Sequence, residues 1–373
     1  MSNMDRRGFI GALGLAAAMG GGLGAVASAA RLPMTAEGGD GGTITLQPSG
    51  KDDTAAIQEA IDHCITAKVG LRLSSGVFHI SRTLRIDTCV DMSIVGMGHA
   101  NPSGTDGWAQ MGRTTGTCLR WNGMAGGTML LIKSSMWPTI SGLFFDAANS
   151  AGVCIQMHTV PGWPTSGVRL REITVSQATV AGIQFETPNL PHGDNTDVSD
   201  FETILLDRCA VGIRVCNDQS VGHYWRRIDN SFCPVGVEFL QGGEVVIEKT
   251  GQAGSGSADA AFFRTHGGGE NAAVIKLDGI HIEYGMVFDS RNTFGAVVVL
   301  LSGIQDSRTD TNTPPLCMFG DQTTATVLAS QLKGVLVASP KASVTLIGCT
   351  HITGSVSRPV RKLVQGTKKV HVL

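Results

Sequence analysis

Residues 157 to 227 bring together side chains able to move protons or hold charge: His158, Trp163, His192, Asp194, Asn195, Asp197, Asp200, Asp218, His223, Tyr224, Arg226 and Arg227. They fall in or beside three polar segments, 157–166, 186–199 and 216–222. Histidine or tyrosine can serve as base and acid, aspartates can pair across a breaking bond, and a planar guanidinium can clamp a carboxylate bidentately. His223, His192 and Tyr224 are therefore the candidate proton carriers, Arg226 the candidate neutraliser, and Asp197 with Asp218 the candidate carboxylates. Trp163, His158, Asp194 and Arg227 would line the same site and bind its ligand, Trp163 by stacking. These chemistries require no cofactor. Calcium on oxygens of Asp194, Asp197 and Asp218 is an option, although no EF-hand-type spacing is present. His281 and Glu283 form a second candidate site, because alternation along Gly279–Gly285 sends both to one outward face about 7 Å apart.

A plainer reading competes for some of these residues. Arg171, Glu202 and Arg226 each lie two residues before an isoleucine (Ile173, Ile204, Ile228), which would equally make an alternating-charge ladder on an outer face. Arg214 and Glu238 share a frame position in the same way and are read as solvent-facing, where such pairs contribute about 0–1 kcal/mol.

The elements that must position these residues are legible in a repeat. Gly152, Gly182, Gly212 and Gly236 open the phrases Gly-Val-Cys-Ile, Gly-Ile-Gln-Phe, Gly-Ile-Arg-Val and Gly-Val-Glu-Phe at spacings of 30, 30 and 24. Apolar second and fourth residues are the period-two signature of a strand with one buried face. The expected buried columns are Val153, Ile183, Ile213, Val237 and Ile155, Phe185, Val215, Phe239. A unit of this length cannot bury its apolar face without a stacked neighbour, so the pattern predicts a parallel β-solenoid of on the order of ten turns. An earlier strand precedes each glycine, around Ile173–Val175, Ile204–Leu206 and Ile228. The three polar segments leave the stack at equivalent positions and should wall one groove, where loops on a rigid scaffold carry function.

Composition excludes several classes. A net charge of −2 and the lack of a basic stripe argue against a nucleic-acid partner. Nine cysteines occur without zinc-ligand spacing, and Cys209 and Cys233, equivalent in the repeat, are read as stacked buried thiols rather than a disulfide. Gly267-Gly268-Gly269 lacks the context of a phosphate loop. Asp5-Arg6-Arg7-Gly8-Phe9-Ile10, a glycine- and alanine-rich apolar stretch, and Ala27-Ser28-Ala29-Ala30 resemble a bacterial twin-arginine export signal. That resemblance implies removal of residues 1–30, folding before export, and a periplasmic or secreted mature protein with no membrane segment.

Ahead of the repeats, Asp53 or Thr54 is placed to cap a helix of about residues 53–65 whose apolar face is Ala56, Ile57, Ala60, Ile61 and Cys64. The run Asp52-Asp53-Thr54-Ala55-Ala56-Ile57-Gln58-Glu59-Ala60-Ile61-Asp62, followed by Gly76-Val77-Phe78-His79-Ile80 and Ile94-Val95-Gly96-Met97-Gly98, resembles the opening of pectate-lyase-superfamily right-handed parallel β-helices. This group includes polysaccharide lyases, polygalacturonase-type hydrolases and phage tailspike depolymerases. The resemblance implies an all-β, right-handed parallel β-helix (solenoid) in one domain, 31–373. A short N-terminal helix would cap it, coils would fill about 70–355, and a polar tail would occupy 356–373. It also implies a polysaccharide substrate. The first expectation is a lyase cleaving a uronate-containing glycan by β-elimination. The second is a hydrolase, since Asn195-Thr196-Asp197 is similar to the Asn-x-Asp element of polygalacturonase-type enzymes. Where those enzymes add Asp-Asp, Gly-His-Gly and Arg-x-Lys, this chain carries Asp218-Gln219, Gly222-His223-Tyr224 and Arg226-Arg227-Ile228. A non-catalytic glycan-binding or structural β-helix is the third. Oligomeric state is not legible.

Overall fold

A computed structural model describes residues 35–37, 42–98, 115–186, 195–217, 219–253, 259–267, 272–291, 295–308, 314–353, 356–358 and 363–373. All of them lie in the compact unit Leu32–Leu373. That unit is an all-β parallel solenoid. Eleven strands, from Leu84–Asp87 to Val364–Gln365, stack in parallel as one sheet, and a larger sheet carries the remaining sides of the coils.

A representative coil shows how the sequence makes three faces. Strand Arg169–Ser176 begins the coil, a turn over 177–180 follows, and strand Ala181–Phe185 completes it before the corner leading to the next coil. The long strand is bent once, at Glu172, whose φ of 53° breaks the pleat and separates a first face (169–171) from a second (173–176). Equivalent positions in the neighbouring coils share the left-handed conformation: Gly142, Thr203, Arg227, Lys249, Gly279, Gly303, Ala329 and Gly348. The third face is the eleven-stranded sheet.

Period-two alternation fills the interior. On the first face Leu170, Phe201, Trp225, Ile247, Leu277, Leu301 and Val327 stand in register and are all buried. Phe201 stacks on Trp225 at 5.2 Å with an interplanar angle of 7°. On the third face Ile183, Ile213 and Val237 align, as do Phe185, Val215 and Phe239. The first repeat departs from the expected frame: Val153 pairs with Ala181 and Ile155 with Ile183, a slip of two residues. A two-residue slip keeps every side chain on its own side of the sheet, so the apolar pattern alone could not detect it.

The helix runs Thr54–Ala67 and buries Thr54, Ile57, Ala60, Ile61 and Cys64 against the first strands. Its capping differs from expectation. Asp53 makes no side-chain cap; its carboxylate accepts from the His79 and Ser49 amides at 3.1 and 2.9 Å, while Asp52 accepts from the Thr54 amide at 3.0 Å. The segment expected to be a free polar tail continues the solenoid instead: Val364–Gln365 pairs with Leu336–Ala338, and Val370–Val372 pairs with Ser343–Ile347. Its lysines had masked a short alternating apolar pattern.

Candidate active site on the third face

Outward positions of the third face fall into two columns. One reads Gln156, Gln184, Arg214, Glu238, Arg264 and Asp289; the other, two residues further on, includes Lys133 and His158 at strand ends and Glu186, Cys216 and His266 just past them, Glu186 at a φ of 59°. From strand Thr128–Lys133 to strand Met286–Asp289 the columns cross seven strands, about 29 Å at the spacing of stacked strands. Outward groups on a flat sheet should be open to water, yet Gln184, Glu186 and Glu238 are only 4%, 6% and 7% exposed. These three side chains are therefore covered by their neighbours, Glu186 by His158 and Glu238 by Arg214 and His266.

Two carboxylates dominate it. Glu238 accepts from Arg214 Nε at 2.8 Å and from His266 Nε2 at 3.3 Å. Burial disfavours its charge, but the His266 hydrogen bond and the Arg214 charge outweigh that penalty and hold the carboxyl below the usual range. Glu186 accepts from His158 Nδ1 at 2.8 Å through one oxygen; the other, Oε1, has no partner among the described residues. Cys216 sits between them, its thiol pushed up to about 12 by burial, with Arg214 opposing and Glu238 and Glu186 adding to the shift. Further along, Asp289 accepts from Arg264 and Arg291, each at 3.1 Å.

Glu186 and Glu238 lie on either side of strand Val211–Val215, about 10 Å apart across the sheet and offset by two residues, about 7 Å, along it. One ionised carboxylate and a second with a histidine behind it is an arrangement able to divide acid and base work around a bond laid between them.

The residues singled out from sequence separate onto different surfaces. His223 is a correction: it is buried inside the solenoid, its ring centroid 5.0 Å from Phe185 and 5.5 Å from Trp225. Nδ1 accepts from the Ser199 hydroxyl at 2.8 Å, and burial drives the imidazole down to about 3, so it is neutral and out of reach of a polymer. The cause is register, since His223 has the parity of Trp225, which pairs with inward Phe201. Tyr224 and Arg226 face outward on the first face, where Tyr224 is 40% exposed, and Arg227 stands at the bend that ends it. There Tyr224 donates to Glu248 at 2.7 Å, which raises its pKa. Arg226 and Arg227 both donate to Glu202, at 3.1 and 2.8 Å, and Arg171 donates to Glu202 as well. These groups form the alternating-charge ladder. Arg214 and Glu238 do not lie on an open solvent face, which corrects the reading made for them.

His158 lies on the third face beside Glu186. Asp197 is at the corner between third and first faces, in the pair Thr165↔Thr196 and Ser166↔Asp197, so two of the polar segments do stack in register at their roots. Trp163 stands at a tight turn of the same corner, 58% exposed. His192, Asp194 and Asp218 lie outside the described residues. His281, bonded through Nε2 to Ser307 Oγ at 3.0 Å, and exposed Glu283 belong to the second face, away from the third-face columns. Among the described residues no group of three or more His, Cys, Asp or Glu could hold a metal ion, and no helix is long and apolar enough to cross a membrane. Sequence reasoning missed Glu186, Gln184 and His266; the signal was their frame position, outward in each glycine-led strand, which became usable once the register was fixed.

No protein-family model matches the chain, and no curated protein matches it. Among solved structures, tailspike protein 2 from Escherichia coli O157:H7 bacteriophage CAB120 aligns with a TM-score of 0.56 at 11% identity, covering 87% of this chain and 44% of its own. The Agl-KA catalytic domain aligns with a TM-score of 0.51 at 11% identity, covering 87% of this chain and 66% of its own. The chain spans less than two thirds of either, and at such identity the likeness is one of fold.

Proposed function

We propose that the protein is an exported enzyme that cleaves a carbohydrate polymer laid along the third face, by hydrolysis between Glu186 and Glu238. The observation that carries this reading is the pair of outward carboxylates on alternate strands, each more than nine-tenths buried. Glu238, kept ionised by Arg214 and His266, is the base that activates water. Glu186, hydrogen-bonded to His158, is the acid that protonates the leaving oxygen. The two carboxylates stand on either side of an intervening strand, which leaves room for that water and fits an inverting reaction better than a retaining one. The fold shared with a phage tailspike and a catalytic domain supports an extended glycan as ligand, although fold alone does not dictate chemistry.

β-Elimination on a uronate glycan is the second reading, favoured by the position of Arg214 between the two carboxylates. Arg214 would neutralise the uronate and His158 or His266 would remove the proton, in place of His223, Tyr224 and Arg226. A calcium ion at Asp194, Asp197 and Asp218 belongs to this reading. Incubation with a panel of polysaccharides separates the possibilities. New reducing ends without ultraviolet absorbance, unchanged by EDTA, are expected. Unsaturated products, or loss of activity on chelation, would transfer the assignment to elimination. Retention on a polymer without products would make the protein a binder. Export rests on the leader, and Lys at both Arg6 and Arg7 should leave the protein in the cytoplasm.

A further inference from the structure

Gln184 and Glu186 occupy successive outward positions of strand Ala181–Phe185 and the residue after it. Gln184 Oε1 and Glu186 Oε1 are both enclosed, and neither has a hydrogen-bond partner among the described residues. A buried acceptor without a donor is rare and costly in folded proteins. Here two occur two residues apart, Gln184 in the strand and Glu186 at the bend that follows it, where φ is 59°.

No donor among the described residues bonds either oxygen. His158 gives Nδ1 to the other oxygen of Glu186, Arg214 gives Nε to Glu238, and Cys216 is a weak thiol donor. We infer that Gln184 Oε1 and Glu186 Oε1 form a subsite that accepts two hydroxyl protons from a neutral sugar ring, so that the glycan is neutral, not uronic, at this position. This rests on the third face being the polymer-binding face. The terminal torsions of glutamine and glutamate are soft, so either oxygen can turn to meet a ring laid on this face. The requirement comes from the two enclosed acceptors: a uronate carboxylate placed opposite them brings only further acceptors, whereas a ring hydroxyl brings a donor. Gln184 is thus a positioning and specificity residue; it takes no part in proton transfer.

The test uses the full chain carrying Glu238→Gln, which stops turnover, with and without Gln184→Leu or Glu186→Gln. Thermal midpoints are measured alone and with glucohexaoses of α-1,3, α-1,4, β-1,3 and β-1,4 linkage, and with hexagalacturonate. Gln184→Leu removes an acceptor that has no donor in the free protein, so it should raise the free midpoint by a few degrees while abolishing the upward shift given by a glucohexaose. A merely structural glutamine would lower the midpoint on replacement. Glu186→Gln should improve hexagalacturonate binding at least tenfold. The inference is overturned if Gln184→Leu lowers the free midpoint, if hexagalacturonate binds the Glu238→Gln protein at least as tightly as every glucohexaose, or if no probe shifts the midpoint. Cleavage of polyuronates by the unmodified protein would remove the subsite and keep the catalytic reading. The expected Gln184→Leu behaviour with no polymer cut would keep the subsite and remove catalysis.

Discussion

Glu238 uses separate oxygens for Arg214 and His266, so neither donor can be lost without leaving a buried charge underpaired. Because its folded pKa is held below the ordinary value of 4.5, the associated stability is fully present above pH 4.5 and is lost as pH falls through the lower folded value. A base ionised to that depth places the acid limb of the kcat/KM profile below pH 4.5. Glu238→Gln and Glu186→Gln should each lower kcat by about 10²–10⁴-fold, measured on whichever polymer the unmodified protein cuts. His223 gives a different pH signature. Its folded value of about 3 lies below the ordinary 6.5, so the unfolded chain binds the extra proton first and stability falls as pH drops from 6.5 towards 3. The decline should approach about 1.4 kcal/mol per pH unit from this residue alone. His223→Phe, which keeps a ring between Phe185 and Trp225, should flatten the decline seen in urea titrations at pH 4 and pH 7 and leave neutral-pH activity in place. An unchanged slope would show that the imidazole is not the buried titrating group. Both residues were visible in the sequence and both were misassigned for one reason. Chemistry was read before parity, whereas His223 shares the parity of Trp225, and Glu238 lies outward but covered by Arg214 and His266.

At the scale of the strand and its bend, two ladders set the coil geometry. Gly182, Gly212 and Gly236 begin third-face strands where a Cβ would stand 2.8 Å from the Gly212 oxygen, 2.4 Å from the Gly236 oxygen and 2.7 Å from the Phe262 oxygen. Gly212→Ala should therefore force the neighbouring backbone apart and cost about 1–3 kcal/mol in denaturant unfolding, the usual range for overpacking. This ladder was plain in the sequence, because only glycine tolerates so close an approach and its recurrence gave the repeat away. The bend between first and second faces was not legible. Five of its left-handed positions are Glu172, Thr203, Arg227, Lys249 and Ala329, and none is a residue that announces positive φ. Thr203 is the least suited, being β-branched at φ 58°. Thr203→Gly should relieve that strain and raise the unfolding midpoint even though glycine loosens the unfolded chain; a lower midpoint would mean that the bend is held without strain.

Across the whole molecule, each coil touches only its neighbours, so stability is nearly a sum of coil–coil interfaces and should be lost from the ends inward. The repeat in the middle made the solenoid legible. The last coils were not, because the lysines of 368–369 broke the apolar rhythm that Val370 and Val372 resume. The nine cysteines form a natural set of reporters along this axis: Cys64 on the helix, Cys154, Cys209 and Cys233 in the central coils, and Cys349 near the last. All are free thiols, and all but the half-buried Cys349 are buried. Burial raises the Cys154 and Cys233 thiols well above their ordinary value, which suppresses the reactive thiolate until the coil around them opens. In native buffer a thiol reagent followed by peptide mass spectrometry should therefore modify Cys349 first. With rising urea, Cys349 and Cys64 should precede the central trio, and Cys209 and Cys233, stacked in register with the Cys209 amide 3.3 Å from Cys233 Sγ, should become reactive together. Simultaneous labelling of all nine at a single urea concentration would mean that the coils unfold as one unit, and early labelling of Cys233 would mean that the stack is weakest in its central coils.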